Sequence, residues 1–529
     1  MAEEQNEILF EVVPLNSSNL SSEILSELCN VAAISKISNG IAFIFPEKVN
    51  PAPTTLLPSP MPRYMFNRLK ELQTDFNDLY HNVAMDSEFL ATSLEKVVNV
   101  DPFCGKLMNI MKKRELLENE GRLHKCQLGL FRADYMFEEI GNVGGSDGHK
   151  WRAKQIEVNT IASSFLGLAP EVASLHKSVI SHLAGCSVQR SRSEPLQTIS
   201  LPRINSSLEG ITQGLISAHN YYCESISPSA SSDNRANISE AVAKCIVMVV
   251  SETENNHIDQ IKLKDNITNT SGVLVYRMTL AQLGNKEECW VDEENGTFLM
   301  HRGCAEVSVF YFRTAYSPEQ LKTQQEWAVR ENMELSLAIN CPSVRYQLAG
   351  TKKVQQVLAC KDSVEKFVKD AEIAQNIRST FAQFLPLESD DKATTELSVK
   401  TALKNPSKYV LKPQREGGGN NYFDQDLVDM LNKFEHSDEL NAYILMERVF
   451  PVTNQNIMAC CNYGGFGSED TTWSRVVSEL GIYGVILSDK EGKVIINKES
   501  GHLLRSKDVS KKDGGVVAGN ACLDSPYFV

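Results

Sequence analysis

The sequence has little that would carry it to a membrane, a nucleic acid or a metal cluster. Its longest apolar runs, such as Cys245–Val250, fall far short of the ~20 residues that a bilayer span needs. The N-terminus MAEEQNEILF lacks the basic segment and apolar stretch of a secretory signal, so triplets such as Asn16-Ser17-Ser18 are expected to be composition rather than glycosylation sites. Basic charge is in deficit: 53 Lys and Arg stand against 67 Asp and Glu in 529 residues, a net charge of −14. That balance argues against a polyanion or a membrane surface as partner, because phosphate backbones need local positive charge. A small anion is still permitted, since a few placed cations suffice for it. The 13 cysteines cannot all pair and contain no C-x-x-C, and the 10 histidines contain no H-E-x-x-H. A zinc or iron–sulfur site is therefore not expected; reduced, mostly buried thiols in a cytoplasmic setting are. Neither a P-loop nor a Rossmann fingerprint is present, and no internal repeat stands out. Gly144–Gly148 matches G-x-S-x-G, but a polar stretch precedes it and a strand follows, so a hairpin turn is expected rather than a nucleophile elbow.

What is present is the pattern of a mixed α/β and α+β protein. Length alone suggests two to four domains at roughly 100–200 residues each. The first 130 residues read as mostly helical, interrupted by the Pro-rich run Pro51–Pro62, which predicts a loop or extended crossing. Residues 151–159 alternate like a strand. Ser187–Ile199 and Ser225–Asn234 read as polar loops. Lys244–Val250 and Ala305–Arg313 are β-branched or aromatic strands of a small α/β unit of about 110 residues. The apolar spacing over Val354–Val368 predicts a helix. Strands then recur at Tyr409–Lys412, Tyr443–Val449, Ile482–Leu487 and Val494–Asn497, with a helix at Asp424–Phe434 and an antiparallel character.

Three segments carry chemistry. In Lys412–Asn421 (KPQREGGGNN) a strand delivers Lys412, a point charge for a phosphate. Pro413 ends the ladder, Gln414 and Arg415 follow, and Glu416 offers a hard oxygen to Mg²⁺. Gly417, Gly418 and Gly419 then let backbone N–H groups close on an anion, with Asn420 and Asn421 behind them. In Glu157-x-Asn159, residues two apart on a strand share a face, which sets two oxygen ligands side by side. In the C-terminal stretch, Arg505 and Lys507 precede the small-residue loop Asp513–Gly519, which can close on an anion and exclude water. The strand Tyr443–Val449 could present its backbone to a flat base, with Met446 packed on it.

Together these segments resemble the eukaryotic glutathione synthetases, ATP-grasp ligases. The resemblance runs through LGLFRADYMF at 128–137, KQIEVNTIASSF at 154–165, NNHIDQ at 255–260, VFYFRTAY at 309–316, QLAGTKKVQQ at 347–356 and YVLKPQREGGGNN at 409–421. It continues through YILMERV at 443–449, SELGIYGV at 478–485, GHLLRSK at 501–507 and DGGVVAG at 513–519, in the family's order. It implies an ATP-grasp fold, residues 1–236 and 351–529, interrupted by a smaller α/β substrate-binding domain at 237–350. It also implies ATP-dependent ligation of γ-L-glutamyl-L-cysteine and glycine through an acyl phosphate, with two Mg²⁺ ions and a homodimer. Alternatives are the same chemistry with β-alanine or serine as acceptor, or a nucleotide-binding scaffold without catalysis.

By position, the resemblance implies Glu157, Asn159 and Glu416 as metal ligands and Lys352 and Lys412 as phosphate-binding lysines. Gly417–Gly419 would form the lid, and Met446, Glu447, Arg448 and Val449 the adenine strand. Glu479 would meet the ribose or base, with Lys507 and Asp513 as further nucleotide contacts. Arg132, Ile161, Ala162, Ser163, Ser164, Glu254, Asn255, Asn256, Gln260, Arg313, Thr314, Ala315 and Tyr316 would hold the dipeptide. Arg505 would stabilise the intermediates, and Val516 and Val517 would flank the acceptor. Two departures stand out. Val517 replaces a frequent alanine, which bears on acceptor choice. The family's tyrosine after the Asn pair aligns with Phe423 rather than Tyr422, which removes a hydroxyl contact to the nucleotide.

Overall fold

The computed structural model describes residues 7–17, 19–140, 151–190, 196–227, 242–388, 392–435, 437–459, 472–512 and 514–529. The motif at Gly144–Gly148, Asp513 and most of the Ser-rich stretches lie outside them. The strands that flank the motif, Leu128–Glu139 and Trp151–Asn159, pair antiparallel.

The frame is a seven-stranded sheet. Its order is Thr453–Ala459, Thr54–Thr55, Cys522–Asp524, Val494–Asp508, Trp473–Ser488, Leu128–Glu139 and Trp151–Asn159. Alternation along its strands divides the core in two. Phe131, Ala133, Tyr135, Leu480 and Ile482 pack into one apolar cluster with the helix Arg63–Met85 and its neighbours. Leu128, Leu130, Tyr483, Val485 and Leu503 pack into the other, with helices Ser22–Ser38, Ala169–Arg190 and Ser207–Tyr221. Helices Arg63–Met85, Ser87–Val100 and Pro102–Asn119 follow one another, divided by two aspartates. Asp86 accepts the Phe89 amide at 2.8 Å, and Asp101 accepts those of Phe103 and Cys104 at 3.0 and 3.2 Å. Each aspartate thus satisfies N–H groups that a helix start leaves unpaired.

A second sheet holds Leu274–Thr279, Ala243–Val250 and Ala305–Phe312 in parallel, with the crossover helix His257–Ser271. Its alternate residues feed the same two clusters: Val247 and Phe310 the first, Ile246 and Met248 the second. The third unit is a four-stranded sheet of Phe384–Leu385, Tyr443–Glu447, Tyr409–Pro413 and Tyr422–Phe423. Leu411 and Leu445 face the helices Lys392–Lys404 and Asp424–Lys433, while Val410 and Met446 face away from them.

Three local readings need correction. The first 130 residues also contain the strand Glu7–Val12 and the hairpin of Ala42–Phe45 with Lys48–Pro51, segments of four to six residues that are too short to imprint a period. The apolar spacing of Val354–Val368 belongs to two helices, Lys352–Ala359 and Ser363–Phe367, broken at Asp362, whose φ is 63°. The loop at Ser187–Ile199 is shorter than expected: the helix runs to Arg190 and a strand begins at Gln197. The Pro-rich run is an extended crossing with short strands at Thr54–Thr55 and Ser59–Met61.

Candidate active site

The face of the seven-stranded sheet that carries Leu128, Leu130, Tyr483, Val485 and Leu503 turns from apolar to charged toward one end. Arg132 and Asp134, Glu157 and Asn159, Glu479 and Gly481, and Arg505 and Lys507 are i, i+2 pairs on four adjacent strands. Their register sets Arg132 beside Asn159, Asp134 beside Glu157 and Gly481, and Glu479 beside Arg505. This face opens into a cavity of about 590 Å³, closed on the other side by Val410, Met446 and Phe423 of the small sheet. A side wall comes from Glu254–Asn256, Arg313 and Tyr316 of the parallel-sheet unit.

A β-bulge sits at its floor. The pairing of Leu128–Glu139 with Trp151–Asn159 shifts between Asp134, opposite Glu157, and Tyr135, opposite Gln155. Ile156 is the extra residue, so its carbonyl has no ladder partner there. It accepts Lys412 Nζ and Gln355 Nε2 instead, both at 3.2 Å. The bulge therefore fastens the small sheet's lysine to the large sheet.

Lys352 Nζ lies 3.5 Å from Glu157 Oε2 and 3.4 Å from Glu416 Oε1. Burial would raise the Glu157 carboxyl, but Lys352, Lys412, Arg505 and Arg132 outweigh it and hold it at about 2. Burial pushes Glu416 up; Lys352 opposes this, and the Glu157 charge adds to the rise. Burial lowers Lys412, and the neighbouring Lys352 lowers it further. Two carboxylates thus converge with one of them disfavoured as an anion, the electrostatic setting that a divalent cation relieves. Asn159 donates its Nδ2 to Asp134 Oδ2 at 2.9 Å, which leaves its oxygen for a ligand. Two carboxylates and an amide oxygen form a hard donor set that fits Mg²⁺.

Arg505 Nη2 is shared between Asp134 Oδ2, at 3.1 Å, and Glu479. Arg132 binds Asp134 with two N–H groups at 2.6 and 2.8 Å. Arg313 donates to Asp259 Oδ2 at 3.0 Å and to Ser164 Oγ at 2.9 Å. Asp259, fully buried, also accepts the amides of Phe165 and Gly167 at 2.9 and 2.7 Å. That fixes the loop Ile161–Ser164 and the Phe165 that follows it, where Ala162 and Phe165 hold φ values of 52° and 72° that non-glycine residues avoid. Both amide atoms of Asn256, 2% exposed, have no hydrogen-bond partner among the described residues. A buried amide in that state on a cavity wall awaits a ligand.

Most residues singled out from the sequence meet here. Gln260, Thr314, Ala315, Pro413, Gln414, Arg415 and Asn420 stand behind the wall instead. Gln260 donates to Glu254 at 2.6 Å and accepts from Arg277. Arg415 pairs with Asp101, the helix cap, and so roots the glycine loop. Gly417 and Gly419 adopt φ of 84° and 90°, the left-handed region that glycine enters without penalty. Glu479 borders the cavity and takes the Arg505 guanidinium on its Oε1. Val516 is buried and Val517 is 42% exposed. Phe423 lies under the Arg448 guanidinium, 5.4 Å from its ring centre. Lys507 donates to the Lys512 carbonyl at 2.8 Å, and Asp424 is shared by Lys512 and Arg448 at 3.0 and 3.5 Å, which ties the C-terminal loop to the small sheet's unit.

Sequence reasoning missed Asp134, Asp259 and the Ile156 bulge. An acid set between alternating apolar residues in LGLFRADYMF was the available signal for Asp134. The bulge left none.

A family model described as eukaryotic glutathione synthase, ATP binding domain, matches residues 22–528. Glutathione synthetase of Xenopus laevis is 34% identical over 514 residues, covering 96% of this chain and 98% of that protein. That of Homo sapiens is 34% identical over 484 residues, 91% of each. Among solved structures, a glutathione synthetase like-effector from Globodera pallida, in apo form, superposes with a TM-score of 0.70 at 22% identity, covering 98% of this chain and all of that one. At that identity the likeness speaks for the fold alone.

Proposed function

The chain belongs to the eukaryotic glutathione synthase family, and on that premise we propose how the cavity works. The protein is an ATP-dependent ligase that forms a carbon–nitrogen bond to make glutathione. We read the reaction as joining γ-L-glutamyl-L-cysteine to glycine. A carboxylate is a poor electrophile; phosphorylation of its oxygen by ATP gives an acyl phosphate, and the amine then displaces phosphate as it sheds a proton. The observation that carries this reading is the convergence of Glu157, Glu416, Lys352, Lys412 and Arg505 beneath the glycine loop.

Lys352 and Lys412 offer fixed positive charge to the phosphates. Glu157, Glu416 and the Asn159 oxygen would hold Mg²⁺, which supplies charge neutralisation for phosphoryl transfer. Arg505 presents the rest of its guanidinium to the carboxylate as negative charge gathers on it. Arg132, Arg313 and Asn256 suit the carboxylate and amide groups of an acidic dipeptide, because a guanidinium fork grips two oxygens. Gly417–Gly419 and the loop containing Val516 exclude water from the acyl phosphate. We place dipeptide recognition in residues 237–350 together with the loop Ile161–Ser164.

The described cysteines form no disulfide with one another, which suits the reducing, cytoplasmic setting we propose. No described helix is long and apolar enough to cross a membrane. A homodimer follows the family; light scattering at working concentration tests it, and a mass of one chain would reject it.

The decisive experiment incubates purified protein with ATP, Mg²⁺, γ-glutamylcysteine and equal glycine, β-alanine and serine, and identifies the product by mass. Glutathione should dominate, with phosphate released only when dipeptide and acceptor are both present. A dominant β-alanine or serine product would overturn the acceptor assignment. No acceptor-dependent phosphate would overturn the ligase reading.

A further inference from the structure

Three residues given direct roles above reach for the same carboxylate. Arg132 donates to Asp134 at 2.6 and 2.8 Å, Asn159 at 2.9 Å and Arg505 at 3.1 Å. Asp134 itself is fully buried and does not border the cavity. Resting on the ligase reading, we propose that Asp134 is the positioning residue that sets metal ligand, dipeptide arginine and catalytic arginine in one frame.

An ionised carboxylate only accepts hydrogen bonds. It therefore takes the Asn159 NH₂ and no other end of that amide, which turns the oxygen toward the metal position. It also takes two of the five N–H groups of Arg132, which fixes the plane of the guanidinium. Finally, it stands between Arg132 and Arg505, two cations that would repel each other across a buried gap. Arg505 then keeps Glu479 as its second anchor.

The opposite strand makes room for this arrangement. Gly481 faces Asp134 in the register. A Cβ at Gly481 would stand 2.6 Å from Asp134 Oδ1 and 2.7 Å from Arg132 Cδ, closer than packed atoms come. Gly481→Ala should thus displace the carboxylate and Arg132 together while every charge stays in place. A carboxylate serving only the core would not need all its partners on the cavity wall.

The test compares wild type, Asp134→Asn and Gly481→Ala, each checked for fold by circular dichroism and melting. Mn²⁺ is titrated by electron paramagnetic resonance with a non-hydrolysable ATP analogue, and kcat and KM are measured for each substrate. Outer partners of a metal ligand typically carry about 10–100-fold in affinity or activity. Both variants should lose about tenfold or more in Mn²⁺ affinity and in kcat, with the KM for γ-glutamylcysteine raised and the KM for ATP changed least. Folded variants that bind Mn²⁺ and turn over within twofold of wild type overturn the proposal. So does a loss that follows the unfolded fraction alone, and Gly481→Ala guards against Asp134→Asn failing to fold. A wild type that makes no glutathione would defeat the ligase reading, while the Mn²⁺ comparison would still decide the role of Asp134.

Discussion

Arg505 is held from behind by Asp134 and Glu479, so its geometry exists before any ligand arrives. Groups of that kind stabilise charge that develops late and contribute mainly to turnover. Arg505→Ala should lower kcat by about 10²–10³-fold with the KM for ATP changed much less, as steady-state kinetics would show. An effect confined to that KM would move Arg505 to the nucleotide. Acceptor choice is a second question at this scale. A methylene discriminates by roughly 1–3 kcal/mol only where it is packed, and Val517 is 42% exposed while Val516 is buried. Val517→Ala should therefore change the glycine to β-alanine ratio of kcat/KM by less than about tenfold. Single side chains were readable from the sequence where the chemistry was local: Glu157 and Asn159 by strand spacing, and Lys412 and Glu416 by their neighbours. Asp134 and Asp259 were not, because apart from Arg132 beside Asp134 their partners lie 25 to 371 residues away and meet them only in the folded chain.

Among the elements, the small sheet shows alternation at work: Leu411 and Leu445 bind its helices while Val410 and Met446 line the cavity. Its strands were legible as strands, and the glycine loop as a loop, since three successive glycines exclude both regular states. The internal geometry of the loop was not. Gly417 and Gly419 have positive φ, whereas Gly418 is not among the residues that do. A Cβ at Gly419 meets nothing within 4 Å, so its cost is backbone strain alone, roughly 1–2 kcal/mol. Gly418→Ala should leave the closed loop accessible and cost activity only modestly. Gly419→Ala should raise the KM for ATP by about tenfold while Tm falls only slightly, because the loop can relax out of the left-handed region, a pairing that kinetics and a melting curve would check. Equal effects of the two variants would show that mobility, not left-handed geometry, is what the loop supplies. The helix expected over Val354–Val368 erred for a related reason: Asp362 takes φ 63°, and apolar spacing carries across such a break unmarked.

At the scale of the molecule, the net charge of −14 hides a cavity lined by Arg132, Arg313, Lys352, Lys412, Arg505 and Lys507. Composition argued against polyanions but could not place those cations together, because sheet order is a long-range property. The same long-range packing seals histidines in the core, His176 on the helix Ala169–Arg190 and His502 on the strand Val494–Asp508, which has a consequence for pH. His176 is fully buried between Ser525 Oγ, at 2.7 Å, and the Thr55 carbonyl, at 3.0 Å; burial lowers it and the nearby Asp524 only partly offsets this. His502, edge-on to Phe66, is pushed down to about 3 by burial, with Lys70 and Lys177 adding to the shift. In the unfolded chain both would titrate near 6.5. Between that value and the lowered one, the unfolded state binds protons that the folded state refuses. Stability is therefore fully present above pH 6.5 and is lost as pH falls, by up to about 1.4 kcal/mol per pH unit for each such group. For His502 the window extends down to about 3. Its ring nitrogen Nε2 has no hydrogen-bond partner among the described residues, so His502→Leu removes a proton acceptor without breaking a bond there. The variant should match wild type in denaturation midpoint at pH 7.5 and fall less steeply between pH 6 and 4.5, a window set by the unfolded histidine near 6.5. Parallel slopes would show that His502 is protonated in the folded state, and the burial that shapes this face of the core would have to be reconsidered.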